Sequence, residues 1–202
     1  MLPPLNNAIF LDTETTGLGD DDQVVEIAVI DSAGHTLLNT LVKPTCPVSD
    51  GAAKVHGITA AELLHAPDFA TVWPQLLDAV RDRDVIIYNV VFDLRLLIQS
   101  AEVHGIDPVA LINVAATYSC AMQAYAPHAN TAMWGRDAME HALPSRDPGT
   151  LAGLPGRPRQ RSKSHAISAI FDFGLSLRQL VTAGTSPSRS GSGRAKVLVT
   201  AM

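Results

Sequence analysis

The chain is poor in cysteine: Cys46 and Cys120 stand far apart and without metal-ligand spacing. They read as reduced thiols packed in a partly buried setting, which sets aside a disulfide scaffold or a cysteine zinc site. Long apolar runs are missing as well. Nothing approaches the roughly 18 residues that a membrane span needs. The N-terminal MLPPLNNAIF has no basic stretch ahead of an apolar one, so no secretory leader is expected. The expectation is a cytoplasmic protein without a membrane partner. Positive charge is scarce in one part only. Residues 1–126 hold 5 Lys/Arg against 16 Asp/Glu, and residues 127–202 hold 10 against 4. No internal repeat is present.

Apolar residues make up 47% of the 202 residues, enough to build a core. Ala8-Ile9-Phe10-Leu11 is a buried-strand pattern that ends on Asp12. Gln23 to Ile30 and His35 to Val42 read as two further strands around the turn Ser32-Ala33-Gly34. Three strands on short links predict an antiparallel meander opening a mixed sheet. Thr59-Ala60-Ala61-Glu62 has the form of a capping box. Asp68 can cap a helix carrying Val72, Leu76, Leu77 and Val80. Val85 to Tyr88 predicts a fourth strand and Phe92 to His104 a helix closed by Gly105. An apolar segment lies near Leu111–Ala115, and a helix is predicted through Thr117–Tyr125. The fold class is therefore α/β, a mixed sheet flanked by helices. Beyond it, Pro, Gly, Arg and Ser interrupt the pattern from Leu143 to Ser164, a composition too polar to offset its ordering entropy. Residues 126–185 are expected to form a divergent, poorly ordered continuation with one helix near 164–181, and residues 186–202 a flexible tail.

The acidic residues carry the chemistry. Asp12 and Glu14 are two apart on a strand, so both carboxylates share one face. Like charges so placed call for a cation, and hard oxygen ligands suit Mg²⁺ or Mn²⁺. Small Thr15-Thr16-Gly17 follow and would let another molecule's backbone come near. Asn89 and Asp93 come after the apolar strand at 85–88, at the same kind of strand end. Taken singly, a DxE is more often a solvated acidic turn, and an Asp near a helix start is more often an N-cap.

Phe10-Leu11-Asp12-Thr13-Glu14-Thr15-Thr16-Gly17 resembles the first motif of the DEDD superfamily of 3′–5′ exonucleases. That superfamily includes the proofreading epsilon subunit of bacterial DNA polymerase III and ribonuclease T. Val25-Glu26-Ile27-Ala28 resembles the family's second strand, Val55-His56-Gly57-Ile58-Thr59 its His-Gly-Ile segment, and Asn89-Val90-Val91-Phe92-Asp93 its second motif. Ser119-Cys120-Ala121-Met122 is similar to a further family stretch. The resemblance implies a ribonuclease H-like exonuclease domain over residues 1–125. It implies that Asp12 bridges two Mg²⁺ or Mn²⁺ ions, that Glu14 binds one, and that Asp93 helps to hold the other. The same resemblance gives Thr15, Gly17, Leu18, His56 and Asn89 to the terminal nucleotide, with Leu18 as an apolar contact to its base. Glu26 stands behind them or faces solvent. Implied partners are single-stranded DNA or RNA 3′ ends and a polymerase or other protein.

The family's third motif is a His or Tyr general base four or five residues before a fourth metal-binding Asp. Here the pairs on offer are His165 with Asp172 and His141 with Asp147. Seven residues would bring His165 and Asp172 onto one helix face, at a spacing that is not the family's. Pro144 between His141 and Asp147 argues against a helix. The other outcome is thus an exonuclease-fold domain that is catalytically impaired and binds nucleic acid or a protein. Arg157-Pro158-Arg159-Gln160-Arg161-Ser162-Lys163 is then either a phosphate contact or a solvated linker. A frame change or fusion near residue 126 would explain both the charge reversal and the missing motif. Translation of the neighbouring frames of the gene should then reveal a His-x4-Asp helix, and its absence from both frames would remove the idea.

Overall fold

The computed structural model describes residue 3 and residues 5–124. After a 3-10 turn at Leu5–Asn7 come β1 (Ala8–Thr15), β2 (Val24–Asp31) and β3 (Thr36–Leu41), then α1 (Asp50–His56), α2 (Ala60–Leu64) and α3 (Phe69–Val80). The chain continues through β4 (Asp84–Ile87), α4 (Val90–Val103), α5 (Val109–Val114) and β5 (Thr117–Cys120). The sheet order is β3-β2-β1-β4-β5. β1, β2 and β3 pair antiparallel, whereas β4 and β5 add in parallel beside β1. This is the mixed sheet with helices expected from the pattern of apolar runs.

Local chemistry sets the boundaries. Asp31 closes the β2–β3 turn by accepting from the amides of Ala33 and His35, and Gly34 takes the positive φ of 90° that the turn demands. Thr59 and Glu62 make the reciprocal capping box at α2, and Asp68 accepts from the Thr71 amide at the start of α3. Asn89 caps α4 through the Phe92 amide, so Asp93 lies one turn inside that helix and is not its cap.

Strand alternation divides the core. Ile9 and Leu11 of β1, Ile27 and Val29 of β2 and Val85 and Ile87 of β4 form one face, packed on Phe69, Val72, Leu76, Leu96, Leu97 and Ala101 of α3 and α4. Ala8, Phe10, Ala28, Ile30 and Ile86 form the opposite face with Ala121. Asp12 lies across from Ala28 and Glu14 across from Glu26, so these three acids continue the second face beyond its apolar part.

Three segments differ from the sequence reading. β1 runs on through Thr15, which puts Asp12 and Glu14 inside the strand, because β2 continues to pair with it there. α1 has no apolar period to announce it; Ser49 caps one end, and Gly57 at φ 69° closes the other. The helix expected over Thr117–Tyr125 needs correction: residues 117–120 are β5 and 121–124 are helical, Tyr125 lying outside the described residues. Parallel pairing with β4, from Asp84–Thr117 to Ile87–Cys120, overrides the local helical pattern. Thr117 donates to the Asp84 carboxylate and Tyr118 to the Leu111 carbonyl, each bond holding the strand in place.

Because Leu97 of α4 is fully buried against the sheet, Leu97→Ala should lower stability by about 2–5 kcal/mol. A denaturant titration that finds less than about 1 kcal/mol would contradict this packing.

Candidate active site

β4 ends opposite Leu11, and β1 continues without it. The gap at that edge is taken by a side chain. Thr13 donates its hydroxyl to Asp93 Oδ1 at 2.8 Å, and its backbone N–H bonds the same carboxylate. Thr13 faces the helices while Asp12 and Glu14 face the other way. Asp93 therefore reaches the strand end from α4 and meets the acids of the opposite face around its edge.

The charges acting on Asp12 are negative: Asp93 most strongly, then Glu14, then Glu26. Burial is the largest effect and, with these neighbours, holds the Asp12 carboxyl well above the usual carboxylate range. Asp12 keeps some surface exposed, so it lies deep among protein atoms yet is not sealed off from solvent. Burial also pushes Asp93 up to about 7, against the opposing pull of the two Thr13 hydrogen bonds. Four carboxylates from β1, β2 and α4 thus share one strand end.

The turn after β1 is tightly organised. Asp22 accepts from Thr16 Oγ1 at 2.6 Å and from the Gly19 amide at 2.7 Å. A Cβ on Gly17 would lie 2.5 Å from the Asp22 carboxylate. The space expected there for another molecule is used by the protein itself. Thr15, which is buried, bonds back to the Gly17 carbonyl. Leu18 projects from the turn with 79% of its surface exposed. His56, fully buried at the end of α1, accepts from the Ile58 amide on Nδ1, which leaves the proton of the neutral ring on Nε2. α1 is tied to this turn by the bond from the Ser49 amide to the Thr16 carbonyl. Asn89 is half-buried and occupied as the α4 cap.

His165 and Asp172, like His141 and Asp147, fall outside the described residues. Among the described residues no three His, Cys, Asp or Glu side chains are drawn together closely enough to form a cation cage. The donor chemistry nonetheless fits hard divalent ions. Asp12, Glu14 and Asp93, with Glu26 beside them, present carboxylate oxygens that repel one another when ionised. Thr13 and Glu26 were the partners hardest to read from sequence. The signals were strand alternation, which turns Thr13 toward α4, and the register, which sets Glu26 opposite Glu14.

Five matches to known proteins bear on this chain's family and fold. A family model described as an exonuclease matches residues 9–147, running past residue 126 and stopping short of His165. An uncharacterized exonuclease of Escherichia phage 186 is 41% identical over 124 residues, 61% of this chain and 64% of that protein. DNA polymerase III subunit epsilon of Escherichia coli K12 is 31% identical over 104 residues, 46% of this chain and 43% of that protein. The chain thus spans less than two thirds of either relative. Exonuclease X, solved in complex with 5′ overhanging duplex DNA, superposes with a TM-score of 0.55 at 22% identity, covering 89% of this chain and 94% of that one. E. coli exonuclease I in complex with a dA16 oligonucleotide gives a TM-score of 0.59 at 20% identity, covering 88% and 41%. At those identities the two structures speak for the fold, a ribonuclease H-like exonuclease arrangement.

The raised carboxyls make a prediction for the metal-free protein. Asp93 ionises near the ordinary 3.8 when unfolded and at about 7 when folded, and Asp12 shifts in the same direction. Below about pH 4 both states are protonated and the shift has no effect. As pH rises toward 7 the unfolded chain sheds protons that the fold retains, so stability is lost across that window, by on the order of 2–4 kcal/mol from Asp93. Asp93→Asn should abolish this part of the slope. Denaturation in a chelator at about pH 5 and pH 8 measures it, and an unchanged difference between wild type and Asp93→Asn would refute the assignment.

Proposed function

Since the chain belongs to the RNase T exonuclease family, we propose that it hydrolyses phosphodiester bonds at nucleic-acid 3′ ends with the help of divalent metal ions. The observation that carries this reading is the mutual repulsion of Asp93, Glu14 and Glu26 with Asp12 at one strand end. Asp12, Glu14 and Asp93 would hold the ions, Mg²⁺ or Mn²⁺ by the hardness of their oxygens. When bound, such a pair of ions activates a water and stabilises the leaving 3′ oxygen. The protein's own contribution is to fix the carboxylates: the strand aligns Asp12 with Glu14, and Thr13 ties down Asp93. Leu18, exposed on the turn that follows β1, would meet the terminal base. Thr15, Gly17 and His56, all buried, and half-buried Asn89 would support that contact from behind.

The charge balance supports action at an end. Residues 1–126 carry 16 acidic against 5 basic residues, a poor surface for tracking a phosphate backbone. Bound cations would supply the attraction locally. Single-stranded DNA or RNA termini suit that arrangement, and the epsilon relatives suggest a polymerase as the protein partner. A general base would have to come from the part of the chain outside the described residues, where His165 and Asp172 are the pair whose separation could put them on one helix face, though not at the family's spacing.

The rival reading, a binding domain without hydrolysis, draws on the basic stretch Arg157 to Lys163. One assay separates the two. A 5′-labelled single strand incubated with Mg²⁺ or Mn²⁺ should shorten from its 3′ end and release mononucleotides. Asp12→Ala or a chelator should slow this by at least about 10²-fold. Metal-independent binding that survives Asp12→Ala, with no shortening by the wild type, would replace the nuclease reading by the rival.

A further inference from the structure

The Leu18 turn is unusual in what holds it. Residues 18–21 are exposed, so little apolar burial fixes them, and a segment of that kind ordinarily opens at low free energy. Two side chains of α4 take its carbonyls instead. Arg95 donates through Nη1 to the Gly19 carbonyl at 2.9 Å and through Nη2 to the Leu18 carbonyl at 3.1 Å. Gln99 donates through Nε2 to the Gly19 carbonyl at 3.3 Å and to the Asp22 carbonyl at 2.9 Å. Arg95 Nη1 also donates to Gln99 Oε1 at 2.6 Å, which joins the two into one clamp.

We infer that Arg95 and Gln99 are positioning residues that set Leu18 against the terminal base of the substrate, an inference resting on the nuclease reading above. A direct phosphate contact by Arg95 is the competing role, and the test below separates the two. Both protons of Nη1 are engaged, by Gly19 and Gln99, and Nη2 is engaged by Leu18. Asp20 lies 3.6 Å away and the Phe92 ring centroid 5.6 Å from the guanidinium carbon. Three of the five guanidinium donors thus serve the turn and its partner Gln99. Asp93 stands two residues before Arg95 on the same helix, so one rigid element sets both the carboxylate that closes the strand edge and the turn that carries the apolar contact. Lysine would not replace this arginine, because a single ammonium does not present a planar fork to two carbonyls.

The test has two arms. In the free protein, hydrogen exchange of the amides from Gly17 to Gln23 should accelerate in Arg95→Ala and Gln99→Ala, and also in Arg95→Lys should the alanine variant fold poorly. With single-stranded DNA and Mn²⁺, these variants should raise KM about 5–20-fold while kcat changes less than about 2-fold. Placed on Leu18→Ala, the same substitutions should add less than about 2-fold in KM, because the contact they position is already gone. Unchanged exchange would overturn the clamp. A full KM effect in the Leu18→Ala background would overturn positioning in favour of a direct contact. A wild type without hydrolysis would sink the nuclease reading and the base contact with it, while exchange still decides the clamp independently.

Discussion

At the end of β1 a helix side chain does the work of a missing strand. β4 stops pairing at Leu11, and the Thr13 amide and hydroxyl beyond it are both satisfied by the Asp93 carboxylate. An exposed strand edge would otherwise carry unpaired donors. That bond brings a negative charge from one side of the sheet to the edge where Asp12, Glu14 and Glu26 arrive from the other. The acidic centre follows from it. A fold that ended β4 two residues later would pair β1 through the ladder and keep Asp93 away.

The same bond makes the centre electrostatically unfavourable when empty. Asp93 resists ionisation because it is buried, and Asp12 because burial and the like charges of Asp93, Glu14 and Glu26 act on it together. Natural proteins retain such sites where a ligand offsets the repulsion. Divalent cations would do so with hard oxygen donors, which is the proposal made for these carboxylates above. Under the proposed function, stability and activity would pull in opposite directions: the neutral acids favour the fold, whereas the ionised ones would favour the metal.

Much of this was legible beforehand because it rests on short-range rules. The period of two in Asp12 and Glu14 set them on one face, and the apolar runs at 8–11 and 85–88 marked adjacent strands. The capping residues at Thr59 and Asp68 located helices. What escaped depends on register or on tertiary pairing. Glu26 joins the acids because it lies opposite Glu14, a fact that a strand's own sequence does not contain. β5 looks helical in isolation and becomes a strand because β4 offers a parallel edge. Gly17 was legible as a small residue, but its reason was not: the space beside it belongs to Asp22, five residues further on, and no local pattern announces that contact.

The role of α4 explains why these parts move as one. Leu96, Leu97 and Ala101 anchor it in the core. From that anchored face Asp93 holds Thr13, and Ser100 accepts from the Val24 amide where the β1–β2 register shifts between Glu14 and Thr15. From the flank Arg95 and Gln99 hold the carbonyls of residues 18, 19 and 22. Every segment that contributes to the cleft from β1, its turn and the start of β2 is thus bonded to a single helix. A rotation of α4 by a few degrees would shift the Asp93 carboxylate and the Leu18 turn together, preserving their relation while changing their distance to Asp12 and Glu14. Catalytic geometry is sensitive to displacements on the order of 1 Å. Packing beneath α4, remote from any substrate contact, is therefore as able to disturb the centre as the carboxylates themselves.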